Sequence, residues 1–239
     1  MKINIIIIIF IIIIFYSPAN DLLTDNKFLV LENFEKYSDS SAVFKHWLLR
    51  DENVGEASNI YKMKTEKNNQ FLNARSEANS VQIAKKVDWD IKSYPVFSWK
   101  WRITELPSGA NEEARGKNDS GASIYVIFQR DRIPFLSWKY QPVNVIKYVW
   151  STTLPIGKIV KKEKSKAGKI IYEGYFFVVQ SGTKNLGKWI TEERDILKDY
   201  KKVFGDSPKY NPFLIAILSD SNDTKSTSDA DYDDILIKK

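Results

Sequence analysis

Beyond its first twenty residues, this chain repeats its apolar positions every second residue rather than every third or fourth. "FLVLENF" (28–34), "HWLLR" (46–50), "NIYKMKT" (59–65), "SVQIAKK" (80–86) and "VFSWKWRIT" (96–104) all carry this period. "ASIYVIFQR" (122–130), "VIKYVWST" (145–152), "IIYEGYFFVVQ" (170–180), "FLIAILSD" (213–220) and "YDDILIK" (232–238) also read as strands, though not all of them alternate. A period of two places alternate side chains on opposite faces of a strand, and the β-branched and aromatic content suits that conformation. Turn-rich pieces separate the runs, among them "LPSGANEEARGKNDSG" (106–121) and "DSNDTKSTSDAD" (220–231). Many short strands punctuated in this way predict an all-β domain, a sandwich or barrel.

One segment departs from the pattern. "TEERDILKDYKKVFG" (191–205) places Ile196, Leu197, Tyr200, Val203 and Phe204 on one helical face. Thr191 is the expected N-cap and Gly205 the terminating residue. The expectation is therefore a β-sandwich of jelly-roll type with one packed α-helix near the C-terminal third. "GYFFVVQ" (174–180) and "FLIAIL" (213–218) have no polar face to give to water. They are expected as central strands or beneath the helix.

The N-terminal residues read MKINIIIIIFIIIIFYSPAN. A lysine, an apolar run and a small-residue site (Ser17-Pro18-Ala19) make the three-part pattern of a secretory signal peptide. The run is short for a membrane span. We expect residues 1–19 to be removed and residues 20–239 to form one domain in the periplasm or outside the cell, without a stable transmembrane anchor; an uncleaved anchor is the alternative. With no cysteine, export brings no disulfide. The net charge of +6 is too small for the footprint of a nucleic-acid binder.

The candidate sites are sparse. In "VFSWKWRIT", Phe97, Trp99, Trp101 and Ile103 share one face, and Ser98, Lys100 and Arg102 the other. Burying each aromatic is worth about 2–3 kcal/mol, so the tryptophans are expected in the core. Lys100 and Arg102 are then the better ligand candidates. The lone histidine, His46, is expected to be structural. No G-x-S-x-G elbow accompanies it, and one histidine without cysteine excludes the common zinc sites. "DSNDTKSTSDAD" begins like an EF-hand loop but has Lys225 where glycine is required. The lysine-rich piece "GKIVKKEKSKAGK" (157–169) is expected as a solvated hairpin tip.

"PVFSWKWRI" (95–103), "GANE" (109–112), "DSGASIYVIF" (119–128), "YVWS" (148–151), "RDILKDYKKVFG" (194–205) and "IAILSDSNDT…ADYDDI" (215–235) occur in one order along the chain. Together they resemble the secreted bacterial proteins grouped as domain of unknown function 3047. Two departures are visible. The resemblance leads one to expect an arginine before the "YV-F" core, where Ser123-Ile124 stands, and D-T-D-N-T where Asp220-Ser221-Asn222-Asp223-Thr224 stands. The resemblance implies fold and compartment, not a reaction. A fainter similarity links "LENFE" (31–35) and "YDDILI" (232–237) to carbohydrate-binding jelly rolls, whose first and last strands pair and often hold calcium. A structural calcium is the one cofactor this leaves open, with Glu32 or Glu35 and Asp233 or Asp234 as ligands; otherwise these carboxylates face water at a sheet edge.

The expected function is binding of a polysaccharide or envelope glycan without catalysis, through Lys100, Arg102 and Tyr125. The alternative is a polysaccharide-acting enzyme drawing a carboxylate pair from Asp119, Asp220 and Asp223, with Arg194 holding an anionic group. No catalytic residue is assigned.

Overall fold

The computed structural model describes residues 27–49, 54–135, 137 and 141–239. The expected signal segment, 1–19, lies outside the described residues. The strands are β1 (Phe28–Glu32), β2 (Leu48–Leu49), β3 (Tyr61–Glu66), β4 (Asn69–Glu77), β5 (Ile83–Lys86), β6 (Val96–Glu105) and β7 (Ala122–Gln129). They continue with β8 (Val143–Ser151), β9 (Ile159–Lys166), β10 (Lys169–Ser181), β11 (Ile190–Asp195), β12 (Pro212–Leu218) and β13 (Thr227–Lys238). Three helices are described: α1 (Ser40–Phe44), α2 (Val54–Ile60) and α3 (Ile196–Phe204).

The strands form two sheets facing one another, a β-sandwich of the jelly-roll type. The first has six strands in the order β11-β6-β13-β4-β3, with β1 also paired to β13. The second has seven, β2-β5-β12-β7-β8-β10-β9, in which β8 and β10 run parallel. The first and last strands pair, as expected. β13 serves β4 through residues 227–232 and β1 through residues 235–238. The change of partner coincides with an irregularity near Asp233–Asp234, where Asp234 adopts φ 43°. A bulge of this kind re-aims a strand so that it can leave one neighbour for another.

The core lies between the sheets. Trp99 and Trp101 of β6 are fully buried. Across the sandwich Trp99 stacks on Tyr148 of β8 at 5.0 Å, and Trp101 tilts against Trp150 at 5.9 Å. The tryptophan face of β6 is thus the core face. β10 and β12 are internal strands of their sheet, as their apolar runs predict.

Four local expectations change. First, the helix begins at Ile196, not near Thr191, because residues 190–195 pair with β6 as strand β11. Its N-cap is Asp195, whose carboxylate accepts the Lys198 N–H at 2.9 Å. The apolar face is as expected: Tyr200 packs on Phe128 at 4.7 Å and Phe204 on Tyr175 at 5.1 Å. Gly205 ends the helix at φ 91°. Second, two short helices, α1 and α2, join the one expected; His46 follows α1, is exposed, and lies against the Tyr37 ring. Third, the acidic loop from Asp220 is shorter than its composition suggests, since Thr227 already starts β13. Fourth, the lysine-rich piece is not a hairpin tip but an edge strand, β9, with its turn at Ala167–Gly168. Charged residues suit an edge because they deter pairing with a further chain.

Candidate functional site

The outer face of the seven-stranded sheet carries a row of side chains running across the strands. Cross-strand register aligns Ala84, Ala216, Tyr125, Lys147, Phe176 and Val160 on β5, β12, β7, β8, β10 and β9. On β12, β7, β8 and β10 their neighbours in sequence point the other way, into the core. Over this row lies a groove of about 370 Å³. Tyr125, Tyr172, Phe176 and Leu218 form its apolar lining, and Gln82, Asn118, Lys147, Lys162 and Asp220 supply polar groups. Gly174 leaves room in the wall: a Cβ there would come within 2.4 Å of the Tyr172 hydroxyl, which lies over the glycine.

Lys147 is the least expected member. It is 2% exposed, between Val145 and Val149 on this face of its strand. Its Nζ donates to Ser120 Oγ at 3.1 Å and sits 4.5 Å from the Phe176 ring centre and 5.2 Å from that of Tyr125. A cation facing ring quadrupoles recovers part of the hydration lost on burial. Ser120 links this lysine to Asp220, since the Ser120 N–H donates to Asp220 Oδ1 at 2.7 Å. Burial pushes the Asp220 carboxyl up to about 6; Asp119 and Glu112 push the same way, and Lys147 and the Ser120 N–H oppose them. Low-dielectric surroundings penalise the carboxylate more than its neutral acid.

The three candidate aspartates come together at one end of this groove, but as braces between two loops. Asp119 accepts from the backbone N–H groups of Asp223 (3.1 Å) and Thr224 (2.7 Å) and from Thr224 Oγ1 (2.6 Å). Asp223 accepts the Asn118 N–H at 3.0 Å. Of the three, only Asp220 lines the groove, where one further acidic residue, Glu56, also lies.

A family model described as protein of unknown function, DUF3047, matches residues 45–236. The chain belongs to this family. No curated protein matches it. Among solved structures, a family 11 xylanase from Neocallimastix patriciarum is similar at 13% identity, covering 75% of this chain and 86% of that one, with a TM-score of 0.41. A family 12 xyloglucanase from Bacillus licheniformis is similar at 9% identity, 74% and 85% coverage and a TM-score of 0.42. A mannan-recognising carbohydrate-binding module, TmCBM27, is similar at 9% identity, 89% and 98% coverage and a TM-score of 0.35. Likeness at this level carries no argument about what the DUF3047 chain binds.

The remaining predicted residues of this DUF3047 protein lie elsewhere. Lys100 and Arg102 are on the outer face of the six-stranded sheet, opposite to the tryptophans. Lys100 pairs with Asp234 at 2.6 Å. Arg102 pairs with Asp231 at 2.7 Å and Glu66 at 2.9 Å, and its guanidinium is 4.7 Å from the Trp189 ring centre. Arg194 forms a two-pronged bond to Asp199 at 2.9 and 2.7 Å, and the Tyr148 hydroxyl donates to the same carboxylate. Glu32 is buried beneath five donors: the Asn33 and Phe34 N–H groups, Tyr37, Trp47 and Lys85. Glu35 accepts the Gln70 N–H, and Asp233 accepts from Asn69 Nδ2 and the Asp234 N–H.

Sequence reading singled out Tyr125 and Asp220 but passed over Lys147, Tyr172 and Phe176. One signal was available for Lys147: a lone charge inside "VIKYVWS", with apolar residues on both sides at both periods.

Proposed function

We propose that this protein is exported and binds a glycan in the groove on the outer face of the seven-stranded sheet. The carrying observation is the groove itself, where Tyr125, Tyr172 and Phe176 stand beside Asp220, Lys147, Gln82 and Asn118. A sugar ring presents apolar C–H faces and a rim of hydroxyls. Aromatic faces bury the first, and mixed donors and acceptors satisfy the second.

The test is retention of residues 20–239 on a panel of immobilised plant and bacterial polysaccharides. At least one should retain the protein, and Tyr125→Ala should weaken retention about tenfold or more, as loss of an aromatic anchor does. No retention on any of them would sink the reading. Loss of retention in Lys100→Ala but not in Tyr125→Ala would move the site to the other sheet.

A second reading is favoured by the Asp220 carboxyl, raised to about 6 in a groove that Glu56 also lines. A carboxyl whose pKa is raised towards neutrality can act as a general acid in glycoside cleavage. Release of reducing ends from a retained polysaccharide, abolished by Asp220→Asn, would favour this enzyme over a binding protein.

A further inference from the structure

Resting on the glycan-binding reading, we propose that the ligand is an anionic polysaccharide, bearing uronate or sulfate groups, whose charges are seated by Lys147, Lys162 and Lys164. The three lysines reach the groove from two strands. Lys162 and Lys164 alternate with Lys161 and Glu163 along β9, so they share the outer face with Val160. Register sets Lys162 beside Gly174 and Lys164 beside Tyr172, both of which belong to the groove wall. Because Gly174 has no side chain, the Tyr172 ring folds over it and forms the groove wall beside Lys162.

The local charges leave the two β9 lysines uncompensated. Lys161, on the opposite face, pairs with Glu163 at 2.9 Å and Glu173 at 3.2 Å. Among the described residues Lys162 and Lys164 have no ion pair. Lys164 instead lies 6.0 Å from the Tyr172 ring centre. Lys147 has an acid nearby in Asp220, whose carboxyl its charge draws down against burial, but that carboxylate accepts the Ser120 N–H and has no hydrogen bond to the lysine.

Edge protection explains lysines on β9 but not Lys147. β10 separates β8 from that edge, and no approaching strand could meet a residue there. Burying an ammonium is costly unless it is paired and hydrogen-bonded. Ser120 Oγ takes one of its three donors, and the two aromatic rings are its other close neighbours in the groove. An anionic group entering between Tyr125 and Phe176 would complete its bonding. Charge-assisted bonds of this sort are the stronger kind, and they lend specificity for acid over ester.

The experiment compares polygalacturonate with its fully methyl-esterified form, and dextran sulfate with dextran, by affinity electrophoresis and calorimetry on residues 20–239. The charged member of at least one pair should bind more tightly, less so as salt is raised. K162Q/K164Q should weaken that binding about five- to tenfold, from the loss of two charge contacts near the surface. K201Q/K202Q removes the same charge from the exposed side of α3 and should leave affinity unchanged. Circular dichroism confirms that both variants are folded. Which charged polymer binds assigns carboxylate or sulfate. Equal binding of charged and neutral members would overturn the anionic ligand while leaving glycan binding in place. Equal losses in the two double variants would reduce the effect to diffuse basic charge and overturn the assigned site. No binding of any polymer would overturn both readings.

Discussion

At the scale of single residues, buried charge is handled in two ways. Glu32 keeps its charge: although burial raises its carboxyl, donation from Lys85 and Tyr37, the Lys85 charge and the Phe34 N–H outweigh that and hold it below the ordinary value. Replacing it strands several buried donors, including a lysine. Glu32→Ala should therefore cost about 3–5 kcal/mol, read from denaturant midpoints, with a lesser cost for Glu32→Gln. Asp233 has the opposite character. Burial pushes it up to about 6, and Asn69 only partly offsets this. A folded value above the ordinary 3.8 means the native state holds the proton more tightly. That contribution to stability is complete below about pH 4 and is lost as pH rises through about 6. Asp233→Asn should then melt above the wild type near about pH 8, with the gain vanishing near about pH 4. A gain that grows in acid would contradict this assignment.

At the scale of elements, α3 shows how neighbours override a local signal. Thr191 and the two glutamates after it make an acceptable helix start, and the apolar face of residues 196–204 is unmistakable in the sequence. Yet residues 190–195 gain a full ladder with β6 by staying extended, which leaves Asp195 to cap the helix. Asp195→Ala should lower stability by about 1 kcal/mol, the usual cost of losing an N-cap, whereas Thr191→Ala should cost less. Chemical denaturation of both variants checks the pair. β10 offers a parallel case for the site. Gly174→Ala should displace the Tyr172 hydroxyl, weakening glycan retention with little change in melting temperature, because the clash is with the end of a side chain.

At the scale of the whole molecule, both sheets feed one aromatic core. Trp99, Trp101, Tyr148 and Trp150 meet between them, and α3 packs against its margin. A core shared in this way predicts one cooperative unfolding transition for residues 20–239, with coincident fluorescence and circular dichroism curves. Trp101→Ala should shift that transition by about 3–5 kcal/mol without splitting it.

The sequence by itself determined what depends on local alternation. Period two along some ten runs dictates strands, strands with that punctuation dictate stacked sheets, and the wholly apolar face of "FSWKWRI" dictates which side of β6 is buried. It also singled out Asp119, Asp220 and Asp223, but as a carboxylate pair for catalysis, whereas the structure uses them to accept backbone N–H groups between two loops. It could not decide which sheet a strand joins. Lys100 and Tyr125 each stand on a polar-facing position of a strand, and in one dimension they look equivalent. Only strand order sends them to opposite outer faces. The same holds for Lys147: its row with Tyr125 and Phe176 joins residues far apart in the chain, brought level by the register of β7, β8 and β10. Register is a property of the assembled sheet, set by the packing of every strand at once. The groove that it creates is therefore decided by the tertiary structure alone.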